Sequence, residues 1–249
     1  MKYVGITETY DPCFVPDWET KLLDANIIIS KELNDEMIEK LLITQDRVIF
    51  HHTVTGHGNF IFESGVNTFV KEFQQFKKLI ERGFPISHYV LRVDPIIPLN
   101  DVCLYKTINV LYLWALYLRM NNQRLRCRIS MIDMYKHVRE RILKETMLPV
   151  PWETFKAPKE VFEKVEEQLV KFKDVFAFES CAENDFNPTL VTKIGCASNA
   201  DLVILNQDPS DYGMPEKKQR EDCMCLAKKQ ILGVRPSRCK HNCRYCFWK

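Results

Sequence analysis

Strand-like and helix-like segments alternate along this chain up to residue 180, and the alternation restricts the fold more than any other feature of the sequence. Segments rich in β-branched and aromatic residues, typical of strands, span residues 2–7, 26–30, 47–54, 88–93, 125–132 and 175–180. Helical segments span 17–24, 35–42, 66–82, 100–120, 133–146 and 158–173. This order predicts an α/β protein with one parallel sheet and outer helices. Right-handed crossovers then give either a (β/α) barrel or an open doubly wound sheet.

The C-terminal part of the chain lacks this alternation. From residue 184 onward the hydrophobic periodicity fades and cysteines become frequent. We therefore predict a single domain, with a β/α core over residues 1–183 and a cysteine-rich segment over 184–249. In parallel β/α folds the functional residues lie at the carboxyl ends of the strands, so polar residues at those positions are the first candidates.

Ten cysteines are unusual for a chain of 249 residues, and half of them fall in the last 27. The N-terminus has no secretory signal pattern, and the most apolar run, residues 110–118, is far shorter than the roughly 20 residues that span a bilayer. We therefore expect a cytoplasmic protein with no membrane association, in a compartment where disulfides are rare. Clustered thiols in such a compartment predict metal or redox chemistry.

The charge balance excludes nucleic-acid binding as a bulk property of the chain. Lysine and arginine total 35 against 33 acidic residues, which leaves a net charge of +2. Only a local basic patch can serve such a function. Such a patch is either a solvated surface or a rim for nucleic acid, phosphate or an electron donor. Basic residues concentrate in the helix at 133–146 and beside the last cysteines: Lys136, His137, Arg139, Arg141, Lys144, Lys217, Lys218, Arg220, Lys240 and Arg244.

The last three cysteines have the spacing C-x3-C-x2-C. Thiolates at Cys239, Cys243 and Cys246 can hold three irons of a four-iron cluster and leave the fourth iron open to an outside ligand. Structural zinc is the competing interpretation, because the last two cysteines form a C-x2-C pair to which His241 or the first cysteine can add. A closed site with four protein ligands indicates a structural role, whereas an open position indicates that a further molecule binds.

This triad resembles the cluster-binding signature of radical S-adenosylmethionine enzymes, which has an aromatic residue before its third cysteine, here Tyr245. Over most of its length the chain also resembles the domain-of-unknown-function family DUF1848, whose members are loosely described as photolyase-like and carry the triad at the C-terminal end. The shared motifs are Thr-Val-Thr-Gly-His-Gly at 53–58, Arg-Val-Asp-Pro-Ile-Ile at 92–97, Ser-Met-Ile-Asp-Met-Tyr at 130–135, Ser-Cys-Ala-Glu at 180–183, Gly-Cys at 195–196, Gln-Arg at 219–220, and the cysteines that follow.

The resemblance implies a partial (β/α) barrel of the radical S-adenosylmethionine type. It implies a [4Fe-4S] cluster on the triad, with S-adenosylmethionine on the fourth iron and Tyr245 beside this cofactor. Enzymes of this type cleave S-adenosylmethionine reductively to methionine and a 5′-deoxyadenosyl radical, which abstracts hydrogen from an unactivated carbon. They need a low-potential electron donor such as flavodoxin or ferredoxin. The photolyase-like description implies that a nucleotide or nucleic acid is modified or repaired.

Four further cysteines match the family pattern and raise the question of a second metal centre: Cys181, Cys196, Cys223 and Cys225. Four thiols provide the ligands of a second iron–sulfur cluster or of one tetrahedral zinc ion. The first two can equally be buried small residues, which is a common fate of free cysteine. Three remaining cysteines are expected to be incidental core or surface residues: Cys13, Cys103 and Cys127.

Polar residues at the predicted strand ends are the candidates for binding S-adenosylmethionine. Arg92 and Asp94 end the fourth strand, and the guanidinium can pair either with the carboxylate of this cofactor or with Asp94 itself. Ser130 and Asp133 end the fifth strand and are expected at the ribose, unless Asp133 caps the next helix. Glu183 follows the sixth strand and either binds the cofactor amine or the substrate, or caps a helix.

A function without this enzyme chemistry also fits the cysteines. A module stabilised by zinc or by a cluster can bind nucleic acid through residues 223–246, and two clusters can form an electron-transfer protein. The number of protein ligands distinguishes these hypotheses, because only an open coordination position predicts binding of S-adenosylmethionine.

Overall fold

The computed structural model describes residues 1–15, 17–213, 223–233 and 239–247. The strands in this part of the chain are β1 Val4–Ile6, β2 Asn26–Ser30, β3 Val48–Thr53, β4 Tyr89–Ile96, β5 Leu125–Met131, β6 Phe176–Ser180, β7 Val191–Lys193 and β8 Lys229–Ile231. The α-helices there are α1 Asp35–Ile43, α2 Phe69–Glu81, α3 Asp101–Met120, α4 Lys136–Thr146, α5 Lys159–Leu169 and α6 Asn199–Ile204.

The described strands form one sheet in the order β7-β6-β5-β4-β3-β2-β1-β8, and every neighbouring pair is parallel. The predicted α/β class with a parallel sheet is confirmed. From β1 to β7 each strand lies beside its predecessor and the order never reverses, unlike in a doubly wound sheet. Right-handed crossovers then carry the connecting helices to one face and bring the carboxyl ends to one edge.

Alternate residues of the central strands point to opposite faces of the sheet and enter two separate cores. Ile28 and Phe50 pack in the larger core with buried helix residues such as Trp114. Their chain neighbours Ile27 and Ile49 pack in a smaller core, which includes residues of the C-terminal segment. Both faces of the sheet are therefore covered, as is usual for parallel sheets.

The segment after residue 183 belongs to the same sheet as the rest of the chain. It provides β7 beside β6, β8 beside β1, and α6 in the smaller core. These elements have three to six residues, which is too few for a hydrophobic period to show in the sequence. The predicted boundary at residue 183 therefore marks only the point where the hydrophobic periodicity fades in the sequence. That the chain forms a single domain stays a prediction.

Two predicted helices differ from the observed elements. Residues 17–24 form only a short 3-10 helix at Trp18–Lys21, because Asp17 makes no capping hydrogen bond and so short a segment does not offset the cost of helix nucleation. The helix predicted at 158–173 ends in a 3-10 turn at Val170–Phe172. In the described ranges, no helix is both long enough and apolar enough to cross a membrane.

Candidate functional site

A cavity of about 630 Å³ opens at the carboxyl edge of the sheet. Its wall includes residues on or after five of the strands: Thr9 after β1, Arg92 and Asp94 on β4, Ser130 on β5, Ala182 after β6 and Cys196 after β7. Parallel strands bring their carboxyl ends together, which explains why residues far apart in the sequence meet here. The volume lies in the range of roughly 300–1,000 Å³ that is usual for small-molecule sites.

The residues that the sequence analysis predicts to bind the cofactor all line this cavity: Arg92, Asp94, Ser130, Asp133, Glu183 and Tyr245. The cysteines predicted for a second centre line it as well: Cys181, Cys196, Cys223 and Cys225. Of the triad, only Cys246 belongs to the wall, while Cys239 is exposed and Cys243 is buried. The structure thus joins most of the predicted site residues in one place.

Arg92 and Asp94 form an ion pair between Nη2 of the guanidinium and Oδ2 of the carboxylate. The Ser130 hydroxyl donates a hydrogen bond to the other carboxylate oxygen of Asp94. The internal salt link is therefore present. Nε of Arg92 has no hydrogen-bond partner among the described residues, and burial lowers the pKa of this guanidinium. One donor of a buried arginine is thus left for an anionic ligand.

Glu183 is a carboxyl group in the cavity wall with an exposed fraction of 7%. Burial, together with the negative charge of Asp133, raises the pKa of Glu183 to about 7. Such a group exchanges its proton near neutral pH, as a general acid or base must. Neither carboxylate caps a helix, because α4 has Tyr135 in its N-cap position and α6 is capped by Ser198.

Cys181, Cys196 and Cys225 form a compact thiol group, in which the sulfur atoms lie within 4.8 Å of one another. Sγ of Cys181 and Sγ of Cys225 are 3.7 Å apart. A tetrahedral ion with bonds of about 2.3 Å to sulfur separates its ligands by about 3.8 Å, so this spacing suits one metal ion. Cys223 lies beside the group, since its sulfur accepts a hydrogen bond from the backbone N–H of Cys225 at 3.5 Å.

Cys225 is the member of the thiol group that ionises most readily. Hydrogen bonds from the thiols of Cys181 and Cys196 lower the pKa of Cys225 to about 3. The backbone N–H of Cys196 also donates to its sulfur at 3.1 Å. The same contacts raise the pKa of Cys181. These contacts favour the thiolate form of Cys225, and the thiolate is the form that binds metals.

Gly195 allows Cys225 to approach the other cysteines. A Cβ atom at position 195 would lie 2.4 Å from the carbonyl oxygen of Met224 and 2.7 Å from the nitrogen of Cys225. The two stretches of backbone run side by side, and the N–H of Leu226 donates to the carbonyl of Ala197 at 2.9 Å. The Gly-Cys motif therefore has a physical cause, because no other residue fits this close approach.

The triad segment, residues 239–247, packs on the loop that precedes α2. Cys243 pairs with Glu63 in an isolated β-bridge. The Tyr245 hydroxyl donates a hydrogen bond to the buried Glu63 carboxylate, which also pairs with the Lys31 ammonium at 2.7 Å. Burial raises the pKa of the Cys243 thiol to about 12. Among the described cysteines, the three triad sulfurs do not lie within 4.8 Å of one another as those of the thiol group do.

The model of a protein family described as "Domain of unknown function (DUF1848)" matches residues 11–248. The chain belongs to the DUF1848 family. The match includes both groups of cysteines and all six residues predicted to bind the cofactor. No curated protein and no solved structure matches the chain.

In this DUF1848 protein, basic residues of α4 hold the triad segment in place. Nη1 of Arg141 donates to the carbonyls of Arg244 and Cys246 at 3.1 and 2.8 Å. A ring nitrogen of His137 lies 3.2 Å from the carbonyl oxygen of Phe247. Two of the basic residues predicted on this helix thus bind the backbone of the C-terminal segment. Three residues of the predicted basic rim lie outside the described part of the chain: Lys217, Lys218 and Arg220.

One further group of potential metal ligands, within the residues that match the DUF1848 model, was not predicted from the sequence. Asp11, Cys13 and His241 bring a carboxylate oxygen, a sulfur and a ring nitrogen within 4.8 Å of one another. Cys13 is partly buried against the larger core but also belongs to this group, whereas Cys103 and Cys127 are buried in that core as expected. The signal was the sequence Asp-Pro-Cys directly after the first strand, which places these residues at the same edge of the sheet.

Proposed function

We propose that this DUF1848 protein is a radical S-adenosylmethionine enzyme on a partial (β/α) barrel, with a [4Fe-4S] cluster on Cys239, Cys243 and Cys246. One observation carries the proposal. Cys246 and Tyr245 of the triad segment line the same cavity as the polar residues at the ends of β4, β5 and β6. A ligand held at the triad therefore has room and polar partners. The strand order, which does not reverse from β1 to β7, and the pairing of β8 with β1 support the proposed barrel.

The triad residues fit a cluster better than a single ion. Each thiolate of a [4Fe-4S] cluster binds a different iron, so the sulfurs need not meet at one point. The described triad sulfurs are indeed spread more widely than those of the thiol group. The buried Lys31 ammonium interacts with Cys243, and a positive charge there favours the thiolate ligand. Three cysteines leave one iron open for S-adenosylmethionine.

When bound, the reduced cluster supplies the electron that cleaves S-adenosylmethionine to methionine and a 5′-deoxyadenosyl radical. The residues of the chain bind and orient the reactants. Arg92 offers a guanidinium N–H to the methionine carboxylate, Ser130 a hydroxyl to the ribose, and Glu183 a carboxyl group to the amine or the substrate. Apolar wall residues such as Ile129 and Ile132 limit the access of water.

The thiol group of Cys181, Cys196 and Cys225 holds one zinc ion rather than a second cluster in this proposal. The 3.7 Å between Sγ of Cys181 and Sγ of Cys225 matches the separation of sulfurs on one tetrahedral ion. Cys223 is the fourth ligand, because its sulfur already contacts Cys225. Zinc with four thiolates is a closed site, so it stabilises the cavity wall and takes no part in the reaction.

The proposed partners follow from the same site. The proposed electron donor is a low-potential protein such as flavodoxin or ferredoxin, and the exposure of Cys239 supports its approach to the triad. The proposed substrate is a nucleotide or nucleic acid, whose phosphate would meet the buried guanidinium of Arg128 in the wall. Ten free thiols and an oxygen-sensitive cluster suit the reducing cytoplasm.

Anaerobic reconstitution with iron and sulfide, followed by reduction and addition of S-adenosylmethionine, tests the proposal. We expect about four irons per chain and the formation of 5′-deoxyadenosine. Cys246→Ala is expected to abolish the product, whereas Cys127→Ala, a change in the hydrophobic core, is expected to retain it. A chain that carries the cluster but forms no 5′-deoxyadenosine contradicts the proposal.

A zinc-stabilised nucleic-acid-binding or redox module is the second candidate. The observation that favours it is the thiol group itself, whose spacing suits a closed single-ion site. This function predicts that the zinc-loaded chain binds single-stranded DNA or RNA without iron, with an affinity that falls as salt is added. Binding that is equal in zinc-loaded and zinc-free protein rejects this candidate.

A further inference from the structure

Two segments at opposite ends of the chain meet in the cluster of Asp11, Cys13 and His241, 230 residues apart. The side chains of His241 and Asp11 have exposed fractions of only 3% and 8%, and Nε2 and Oδ2 lie 2.6 Å apart. None of the three residues lines the cofactor cavity. The cluster is therefore separate from the site described above.

His241 has a second ring nitrogen whose environment is unusual. Its Nδ1 is buried and has no hydrogen-bond partner among the described residues. A buried polar atom without a partner is unfavourable, so a ligand that binds here would offset the cost. The Asp11 carboxylate is by contrast oriented by its neighbours, since it accepts hydrogen bonds from the Ser30 hydroxyl at 2.6 Å and the Lys31 N–H at 2.7 Å.

We propose that Asp11, Cys13 and His241 bind one zinc ion. Thiolate, imidazole and carboxylate are all zinc ligands, whereas calcium and magnesium prefer oxygen ligands alone. Zinc displaces the thiol proton of Cys13, which passes to solvent.

The ion joins the loop after β1 to the triad segment. His241 lies between Cys239 and Cys243 in the sequence, and Asp11 follows β1 at the carboxyl edge of the sheet. Zinc at this place fixes the triad segment whether or not the triad carries iron. The proposed site is therefore a structural zinc site that joins the two segments, and it does not depend on the proposed radical chemistry.

The zinc content of the full-length chain, loaded with Zn²⁺ and then freed of excess metal, tests this site. Cys13→Ser and His241→Gln are each expected to lose one zinc ion per chain relative to the unaltered protein. Cys103→Ser changes a buried thiol of the hydrophobic core and is expected to lose none. Unchanged zinc content in both variants overturns the proposal. Iron is not measured, so a failure of the radical chemistry does not affect this result.

Alkylation of the unaltered chain gives a result even if the variants do not fold. N-Ethylmaleimide labelling of Cys13, followed by mass spectrometry of peptides, is expected to slow in proportion to the fraction of sites that hold Zn²⁺. Removal of the metal by a chelator is expected to restore the rate. Cys103 reports any general unfolding, because it is buried in the hydrophobic core. Equal labelling of Cys13 with Zn²⁺ and with chelator overturns the proposal.

Discussion

The sulfur atoms of Cys181 and Cys225 lie 3.7 Å apart although 44 residues separate them in the sequence. The sheet positions Cys181, which follows β6 directly. Cys225 is positioned by the close packing of the backbone at residues 224 and 225 against Gly195, which follows β7. The thiol group therefore forms only when this stretch of backbone is docked, and its metal content reports on the docking.

Cys225→Ser is expected to lower the zinc content by one ion per chain. Hydrogen bonds from the neighbouring thiols lower the pKa of Cys225 and favour its thiolate, and a serine hydroxyl does not replace a thiolate. Metal analysis by mass spectrometry measures the change. Cys127→Ser, in the hydrophobic core, is the control and should keep its zinc. Full zinc retention in Cys225→Ser would contradict the single-ion site.

Gly195→Ala is expected to separate Cys225 from the other thiols. The added methyl group would lie 2.4 Å from the carbonyl oxygen of Met224. Either the backbone around Cys225 shifts or the local backbone is strained, and the protein loses about 1–3 kcal/mol of stability. We expect a loss of zinc together with a lower free energy of unfolding. Gly83→Ala is the matched control, because its φ of +98° strains an alanine but no atom lies within 4 Å. Gly83→Ala should lose stability and keep its zinc. Equal zinc content in Gly195→Ala and Gly83→Ala would contradict the role given to Gly195.

Glu183→Gln is expected to stabilise the protein at high pH only. The folded-state pKa of about 7 exceeds the usual glutamate value of about 4.3, so the folded chain binds more protons than the unfolded chain in this window. The stability of the native protein therefore falls as the pH rises from about 4 to 7. Removal of the charge should gain up to about 3 kcal/mol at pH 8 and little at pH 4.

Urea unfolding at both pH values measures the effect of Glu183→Gln. Glu167→Gln removes an exposed carboxylate of α5 and serves as the control, for which we expect no such pH dependence. A stability difference for Glu183→Gln that is the same at pH 4 and pH 8 would show that the pKa of Glu183 is not raised in the folded state.

The polar side of the cavity could be predicted from the sequence because strong strand patterns precede it. Arg92, Ser130 and Glu183 lie at the ends of three such strands, and parallel pairing brings strand ends to one edge. The metal ligands were harder to place. Their proximity depends on β7 and β8, which have only three residues each and leave no pattern, and on the pairing of β8 with β1.

The cluster of Asp11, Cys13 and His241 was hard to predict for a different reason, because the sequence signal Asp-Pro-Cys marks only two of its three residues. It requires contact between segments 230 residues apart, and only the packing of the triad segment on the carboxyl edge supplies this contact. The internal ion pair of Arg92 with Asp94 was one of two alternatives, and sequence spacing alone cannot choose between a ligand and a neighbouring carboxylate.

Arg141→Gln is expected to reduce the iron bound at the triad after anaerobic reconstitution. Arg141 reaches the triad segment through the carbonyl of Cys246 at 2.8 Å, so its loss loosens the backbone beside one cluster ligand. Arg139 lies on the same helix but donates to the carbonyls of Trp152 at 2.6 Å and Thr154 at 3.2 Å. Arg139→Gln should therefore cost similar stability, about 1–2 kcal/mol, and keep its iron. Iron content per chain and thermal unfolding separate the two effects, because a general loss of stability would lower the iron content of both variants equally.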